Sequence, residues 1–235
     1  MSALKSGWSW ISRIDYECHR FVDPDDACAY KMIRERHRDG DRGYSRAYST
    51  ITNFKISPAL KESNPARYRY KIEAIKTISD DVAALFDENA SRAARYLLVP
   101  AVTSKPRCHS LYDDRLELVC ASVAERFPFV DFARILDIDC EIDSAHRGGT
   151  RDVDEICRHV RVAEGFDLSG YGKIYLFDDV ITTGAHFKAC QKAIHEIYGV
   201  KAGGIFWARS ESWSESQARA WDIEYREFMK TLNSE

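Results

Sequence analysis

Residues Lys173 to Phe187, KIYLFDDVITTGAHF, constrain the fold more than any other stretch of this chain. The run Ile174-Tyr175-Leu176-Phe177 is rich in β-formers and follows Gly172, so it reads as a strand buried on both faces. Asp178 and Asp179 come next, and then the small residues Thr182, Thr183, Gly184 and Ala185. Phe187, Cys190, Ile194 and Ile197 recur at helical spacing up to Gly199, which suits a left-handed helix terminus. Strand, small-residue turn and helix together make a phosphate cradle. Turn amides and the positive end of the helix dipole converge on an anion, and bulky side chains there would block its approach.

The two carboxylates narrow the chemistry. At the carboxyl end of a parallel strand they face the crevice where open α/β sheets bind ligands. Carboxylates accept hydrogen bonds from vicinal hydroxyls, so acids beside a phosphate cradle suit a ribose phosphate. Each residue alone could equally be a solvated turn aspartate or a helix cap, but their order argues for a site.

The string DDVITTGA resembles the phosphoribosyl-pyrophosphate (PRPP) motif of type I phosphoribosyltransferases, over about fifteen residues. The resemblance implies that Asp178 and Asp179 bind the ribose hydroxyls. It gives the 5′-phosphate to Ile181, Thr182, Thr183, Gly184, Ala185 and His186, where His186 stands in place of the family's usual Thr or Ser. It implies Mg²⁺ as cofactor, held through Asp178, Asp179 and the ligand rather than by a dedicated protein site. The strings LLVP (97–100) and LYDDR (111–115) are most similar to the competence-associated branch, whose N-terminal CxxC zinc module is absent here.

Upstream, Tyr96 to Val99 is a short apolar run stopped by Pro100, followed by a hydroxyl-bearing basic loop and a helical pattern through Leu116, Val119, Cys120, Val123, Ala124 and Phe127, with Asp113 as its expected cap. By resemblance the loop after the first core strand holds pyrophosphate, which makes Thr103, Ser104 and Lys105 the expected contacts. Arg107 shares the loop, and Arg115 either enters the site or decorates the helix. Phe132 to Ile138 reads as the next strand. The polar, glycine-bearing segment Glu141 to Asp154 has no periodicity and is expected to be mobile. The family's flexible loop lies there, which makes Arg147 and Arg151 expected pyrophosphate contacts. Ala202 to Ala208 is a further strand, with Arg209 to Trp213 at its end, and Trp221, Tyr225, Phe228 and Leu232 form a packing stripe on a last helix.

The first ninety residues are less informative. Asp23-Pro24-Asp25-Asp26 has the composition of a helix start, predicting a helix to about His37. Tyr48, Thr50, Thr52 and Phe54 alternate as a strand would, and Asn64-Pro65 opens a helix carrying Tyr68, Ile72, Ile75, Val82, Leu85 and Phe86. The expected architecture is a doubly wound, mostly parallel α/β sheet in residues 91–235, with residues 1–90 as an N-terminal helical or strand hood or extra layer.

Composition excludes several classes. The 235 residues carry 34 basic and 37 acidic side chains, a formal net charge of −3, so nothing in the overall balance favours nucleic acid or a membrane surface. No apolar run approaches twenty residues. The seven cysteines are scattered without a CxxC pair, which predicts reduced thiols in a cytoplasmic protein; Cys18-His19 and Cys108-His109 lack a second half at zinc-ligand spacing. The resemblance implies phosphoribosyl transfer from PRPP to a nitrogen acceptor with release of pyrophosphate, and is compatible with a homodimer. It also covers nucleotide-sensing regulators and effectors of bacterial defence cassettes, for which a nucleic-acid or protein partner would be expected. The sequence does not specify the acceptor.

Overall fold

A computed structural model describes residues 4–11, 19–35, 45–142, 152–212, 214–218 and 223. The strands are β1 (Ser9–Trp10), β2 (Cys28–Arg34), β3 (Tyr96–Pro100), β4 (Val130–Phe132), β5 (Leu136–Ile138), β6 (Val160–Val162), β7 (Lys173–Ile181) and β8 (Gly203–Ser210). The helices are α1 (Arg46–Phe54), α2 (Leu60–Ser63), α3 (Pro65–Asn89), α4 (Arg115–Ala124), α5 (Val153–His159) and α6 (Ala185–Tyr198). Six strands form one sheet in the order β1-β2-β8-β7-β3-β4, parallel throughout except for β1 at the edge. β5 and β6 pair antiparallel as a separate two-stranded sheet.

Strand alternation divides the interior into two cores. Leu97, Val99 and Leu176 face α5 and α6, through Ile156, Phe187, Cys190 and Ile194. Leu98, Phe177 and Trp207 face α1, α3 and α4, through Phe54, Ile78, Val82 and Val119. Helices on both faces explain why the central strands read as continuous apolar runs. From β3 the chain crosses by α4 to β4 on one side, whereas from β7 it crosses by α6 to β8 on the other. The strand order therefore reverses between β3 and β7, and ligand crevices open at the carboxyl ends of such strands. β7 pairs with β3 only as far as Phe177 opposite Pro100, which leaves Asp178 to Ile181 overhanging the end of β3.

Two N-terminal expectations are overturned. Residues 28–34 form a strand, because this short segment pairs with β1 on one side and β8 on the other, burying Cys28 and Ala29. Asp23 to Asp26 closes a turn ahead of it, the Asp26 carboxylate accepting from the Asp23 amide at 2.8 Å. Residues 46–54 form a helix. Ser45 caps it by accepting from the Tyr48 amide, and Ala47, Ile51 and Phe54 are buried at helical spacing, so the alternation through Tyr48, Thr50 and Thr52 was incidental. The start at Asn64-Pro65 stands, with Asn64 accepting from the Arg67 amide. Val82, Leu85 and Phe86 are buried as expected, whereas the first half of the helix buries Lys71, Ala74 and Ile78 and leaves Ile72 exposed.

Further along, the expected single strand over Phe132–Ile138 is split between β4 and β5 in different sheets. Asp114 rather than Asp113 occupies the cap position of α4. Gly199 ends α6 with φ 67°, as its position predicted. Most of the segment expected to be mobile, residues 143–151, lies outside the described residues, as do Trp213, Trp221, Tyr225, Phe228 and Leu232. Among the described residues no helix is long and apolar enough to cross a membrane.

Candidate functional site

A crevice of about 560 Å³ opens at the carboxyl ends of β3 and β7. Asp178, Asp179 and Ile181 to His186 line it on one side, and Thr103, Ser104 and Lys105 line it on the other. The expected ribose, 5′-phosphate and pyrophosphate contacts that are described thus share one cavity. Arg147 and Arg151 lie outside the described residues.

The turn between β7 and α6 depends on Gly184, whose φ of 82° is strained for any residue with a Cβ. A Cβ there would also come within 3.0 Å of the Val22 side chain. Val22 belongs to a segment docked under the turn, where the Phe21 amide donates to the Thr183 carbonyl at 3.1 Å. Gly184 has no side chain with which to cap α6, and the Thr183 hydroxyl approaches the Ala185 amide at 3.4 Å. The result is a buttressed helix start open to the crevice, with the electrostatics of an anion site.

Successive strand positions send the two carboxylates different ways. Asp179 is 2% exposed. Its Oδ1 accepts the Lys55 ammonium at 3.0 Å, and its Oδ2 accepts Nε and an Nη of Arg115 at 3.2 and 3.1 Å. Burial opposes ionisation of Asp179, but Lys55 and Arg115 outweigh it and hold the carboxyl below its ordinary range. Asp178 accepts the Asp179 amide through Oδ1 at 2.7 Å and, among the described residues, has no ion pair, Lys55 and Arg115 acting on it only at longer range. Burial first, and then the neighbouring Asp179 charge, push its pKa up to about 7. Two adjacent acids are thereby differentiated into a fixed anion and a carboxyl that titrates near neutrality.

The clamp on Asp179 continues inward. Arg115 also donates to Asp113 at 2.9 Å, and Asp113 accepts Lys71 at 2.8 Å. Lys71 is fully buried and donates to the carbonyls of Phe54 and Ile56 at 2.9 and 2.8 Å. Lys71 therefore ties α3 to the end of α1, which carries Lys55, and Arg115 ties α4 to β7. Charges this deep are retained only when paired and hydrogen-bonded, as these are.

Four cationic side chains, Arg34, Lys55, Lys105 and Arg115, line the crevice against three carboxylates, Asp113, Asp178 and Asp179. The buried Nε of Arg34 has no hydrogen-bond partner among the described residues. Lys105 pairs with Glu141, while the hydroxyl of Thr103 donates to the Lys105 carbonyl at 3.1 Å and the carbonyl of Ser104 accepts the Ile142 amide at 2.9 Å. Arg107 turns away to Glu117 and the carbonyls of Arg134 and Leu136. At His186, burial first and Lys55 second lower the imidazole pKa, so the ring is neutral at physiological pH in the free protein.

Lys55 and the Lys71–Asp113 link were not apparent from sequence, whereas Arg34 stood in a local basic cluster that reads first as a solvated helix end and second as a phosphate contact. Lys71 carried a signal, because it occupies a core-face position of α3, in step with Ala74 and Ile78. Lys55 carried none, since it follows a helix whose docking is decided by distant residues. Models of known protein families and curated proteins were compared with this chain, and none matched.

Proposed function

We propose that the crevice binds the ribose 5-phosphate moiety of PRPP, and that the protein is phosphoribosyltransferase-like, transferring phosphoribosyl to a nitrogen acceptor with release of pyrophosphate. The observation that carries this reading is the placement of the Gly184 turn and the Asp178–Asp179 pair at the reversal of strand order between β3 and β7. The turn and the start of α6 take the 5′-phosphate. Asp178, whose second oxygen is uncommitted among the described residues, accepts a ribose hydroxyl, and Asp179 fixes Arg115 and Lys55 beside it. Lys105 and the hydroxyls of Thr103 and Ser104 meet the diphosphate from the facing loop. In transfer, the bond from ribose C1 to the diphosphate oxygen breaks and a C1–N bond forms. Pyrophosphate leaves with the bonding pair, and the acceptor nitrogen loses its proton to solvent. The protein contributes position and charge, and needs no nucleophile of its own.

Mg²⁺ does not fit Asp179 as a direct ligand, because both of its oxygens already hold protein cations. The groups of three His, Cys, Asp or Glu side chains close enough to share an ion among the described residues lie elsewhere. A magnesium ion accompanying PRPP would be held by the ligand's own oxygens with Asp178 as the available carboxylate, where it would neutralise diphosphate charge.

The occupied oxygens of Asp179 also favour a second reading, ligand sensing without turnover. Incubating the protein with PRPP, Mg²⁺ and a panel of nucleobases and amines separates the two. Pyrophosphate release above the protein-free rate with at least one acceptor is the expected result. Saturable PRPP binding without release across the panel would assign the site to sensing.

A further inference from the structure

Away from the crevice, the β5–β6 pair brings together three side chains that the sequence separates. The register places Ile138 opposite Val160, so one step further Asp139 stands opposite His159. The Asp139 amide donates to the His159 carbonyl at 3.1 Å, which fixes that rung. His159 Nδ1 lies 3.0 Å from Asp139 Oδ1 and 3.2 Å from Cys140 Sγ. One carboxylate oxygen, one thiol sulfur and one imidazole nitrogen thus lie within 4.8 Å of one another.

Without an ion the triangle closes on hydrogen bonds, His159 Nδ1–H and the Cys140 thiol both donating to the Asp139 carboxylate. A cation at its centre would replace those two hydrogens and take all three groups as ligands. Tetrahedral bonds of about 2.3 Å to sulfur and about 2.0 Å to nitrogen and oxygen put such ligands roughly 3.3–3.5 Å apart, within a few tenths of an ångström of the two separations from Nδ1, with the oxygen and sulfur within 4.8 Å of each other. Sulfur and imidazole select zinc and its transition-metal neighbours over calcium and magnesium, which prefer oxygen. The remaining oxygen of Asp139 is held by Arg161 of β6, two residues beyond His159 at the end of α5, an outer partner that aims the carboxylate. A cysteine nucleophile fits less well. The carboxylate meets the same nitrogen as the thiol rather than the opposite one, so it cannot orient the ring from behind.

We propose that Asp139, Cys140 and His159 form a Zn²⁺ site with its fourth position open to solvent. Coordination takes the thiolate and releases the thiol proton to solvent. The ion would tie residues 139–140 to residue 159 and so fix both roots of the segment between them. The site is independent of what the crevice binds.

The test strips the full-length protein with a chelator and titrates it with Co²⁺, then with Zn²⁺, while iodoacetamide alkylation of each cysteine is followed by mass spectrometry. Expected are a thiolate-to-cobalt band displaced by Zn²⁺, its loss in Cys140→Ser, and at least tenfold protection of Cys140 by Zn²⁺. Arg161→Gln should weaken affinity about tenfold without removing the band. Equal alkylation of Cys140 with and without Zn²⁺ in the wild type would overturn the proposal, and that measurement requires no variant to fold. A cobalt band unchanged in Cys140→Ser would also overturn it.

Discussion

At the scale of residues, the chemistry of the crevice rests on how differently Asp178 and Asp179 are treated. Asp179 is held ionised by Lys55 and Arg115, whereas Asp178, with a pKa of about 7, keeps its proton well above the ordinary carboxyl value of 3.8. Between about pH 4 and 7 the folded state therefore binds a proton at Asp178 that the unfolded chain has lost, so this group's contribution to stability falls as pH rises through that window. Asp179 acts in the opposite sense, and its contribution is lost only as pH falls below the ordinary carboxyl range. Asp178→Asn, which can still accept the Asp179 amide, should raise stability at pH 8 by on the order of 2 kcal/mol and flatten the decline between pH 4 and 7. Thermal unfolding of both proteins from pH 4 to 8 measures this. Parallel curves would show that Asp178 is not the destabilising charge. The pair itself was legible in the sequence, because two acids after an apolar strand and before a small-residue turn are adjacent in the chain. The cations that set its protonation were not, since Lys55 and Arg115 reach Asp179 across long sequence separations that no local pattern encodes.

At the scale of elements, β7, its turn and α6 follow from local chemistry. The apolar run sets the strand, Gly184 supplies the left-handed turn, and Gly199 ends the helix. Gly184→Ala should cost about 1–2 kcal/mol in urea denaturation, because a Cβ there is strained at φ 82° and presses on Val22. A cost below a few tenths would mean that the turn relaxes freely and is no rigid cradle. Residues 28–34 and 46–54 show where local reasoning fails. The first was a candidate helix by its acidic start, yet two neighbouring strands claim its backbone. The second alternated like a strand, yet Ala47, Ile51 and Phe54 bury a helical face against α3 and the sheet. In both cases tertiary pairing decided between two local options of similar strength.

At the scale of the whole molecule, the parallel sheet was legible from apolar runs alternating with helical patterns, but the place of the first ninety residues was not. β2 extends the sheet beside β8, and α1 and α3 complete one of its two cores, the end of α1 bringing Lys55 to the crevice and α3 placing the buried Lys71 behind it against Asp113. The proposed function requires that this crevice receive a ribose phosphate at the Gly184 turn with a hydroxyl on Asp178. The most direct measurement is calorimetric titration of PRPP, with Mg²⁺ present, into the wild type and Asp178→Asn at pH 8. Expected are one saturable site in the wild type and an affinity weaker by about tenfold or more in Asp178→Asn, from loss of a charge-assisted hydrogen bond in a protein that is no less stable. No binding by the wild type, or equal affinity in the two folded proteins, would contradict it.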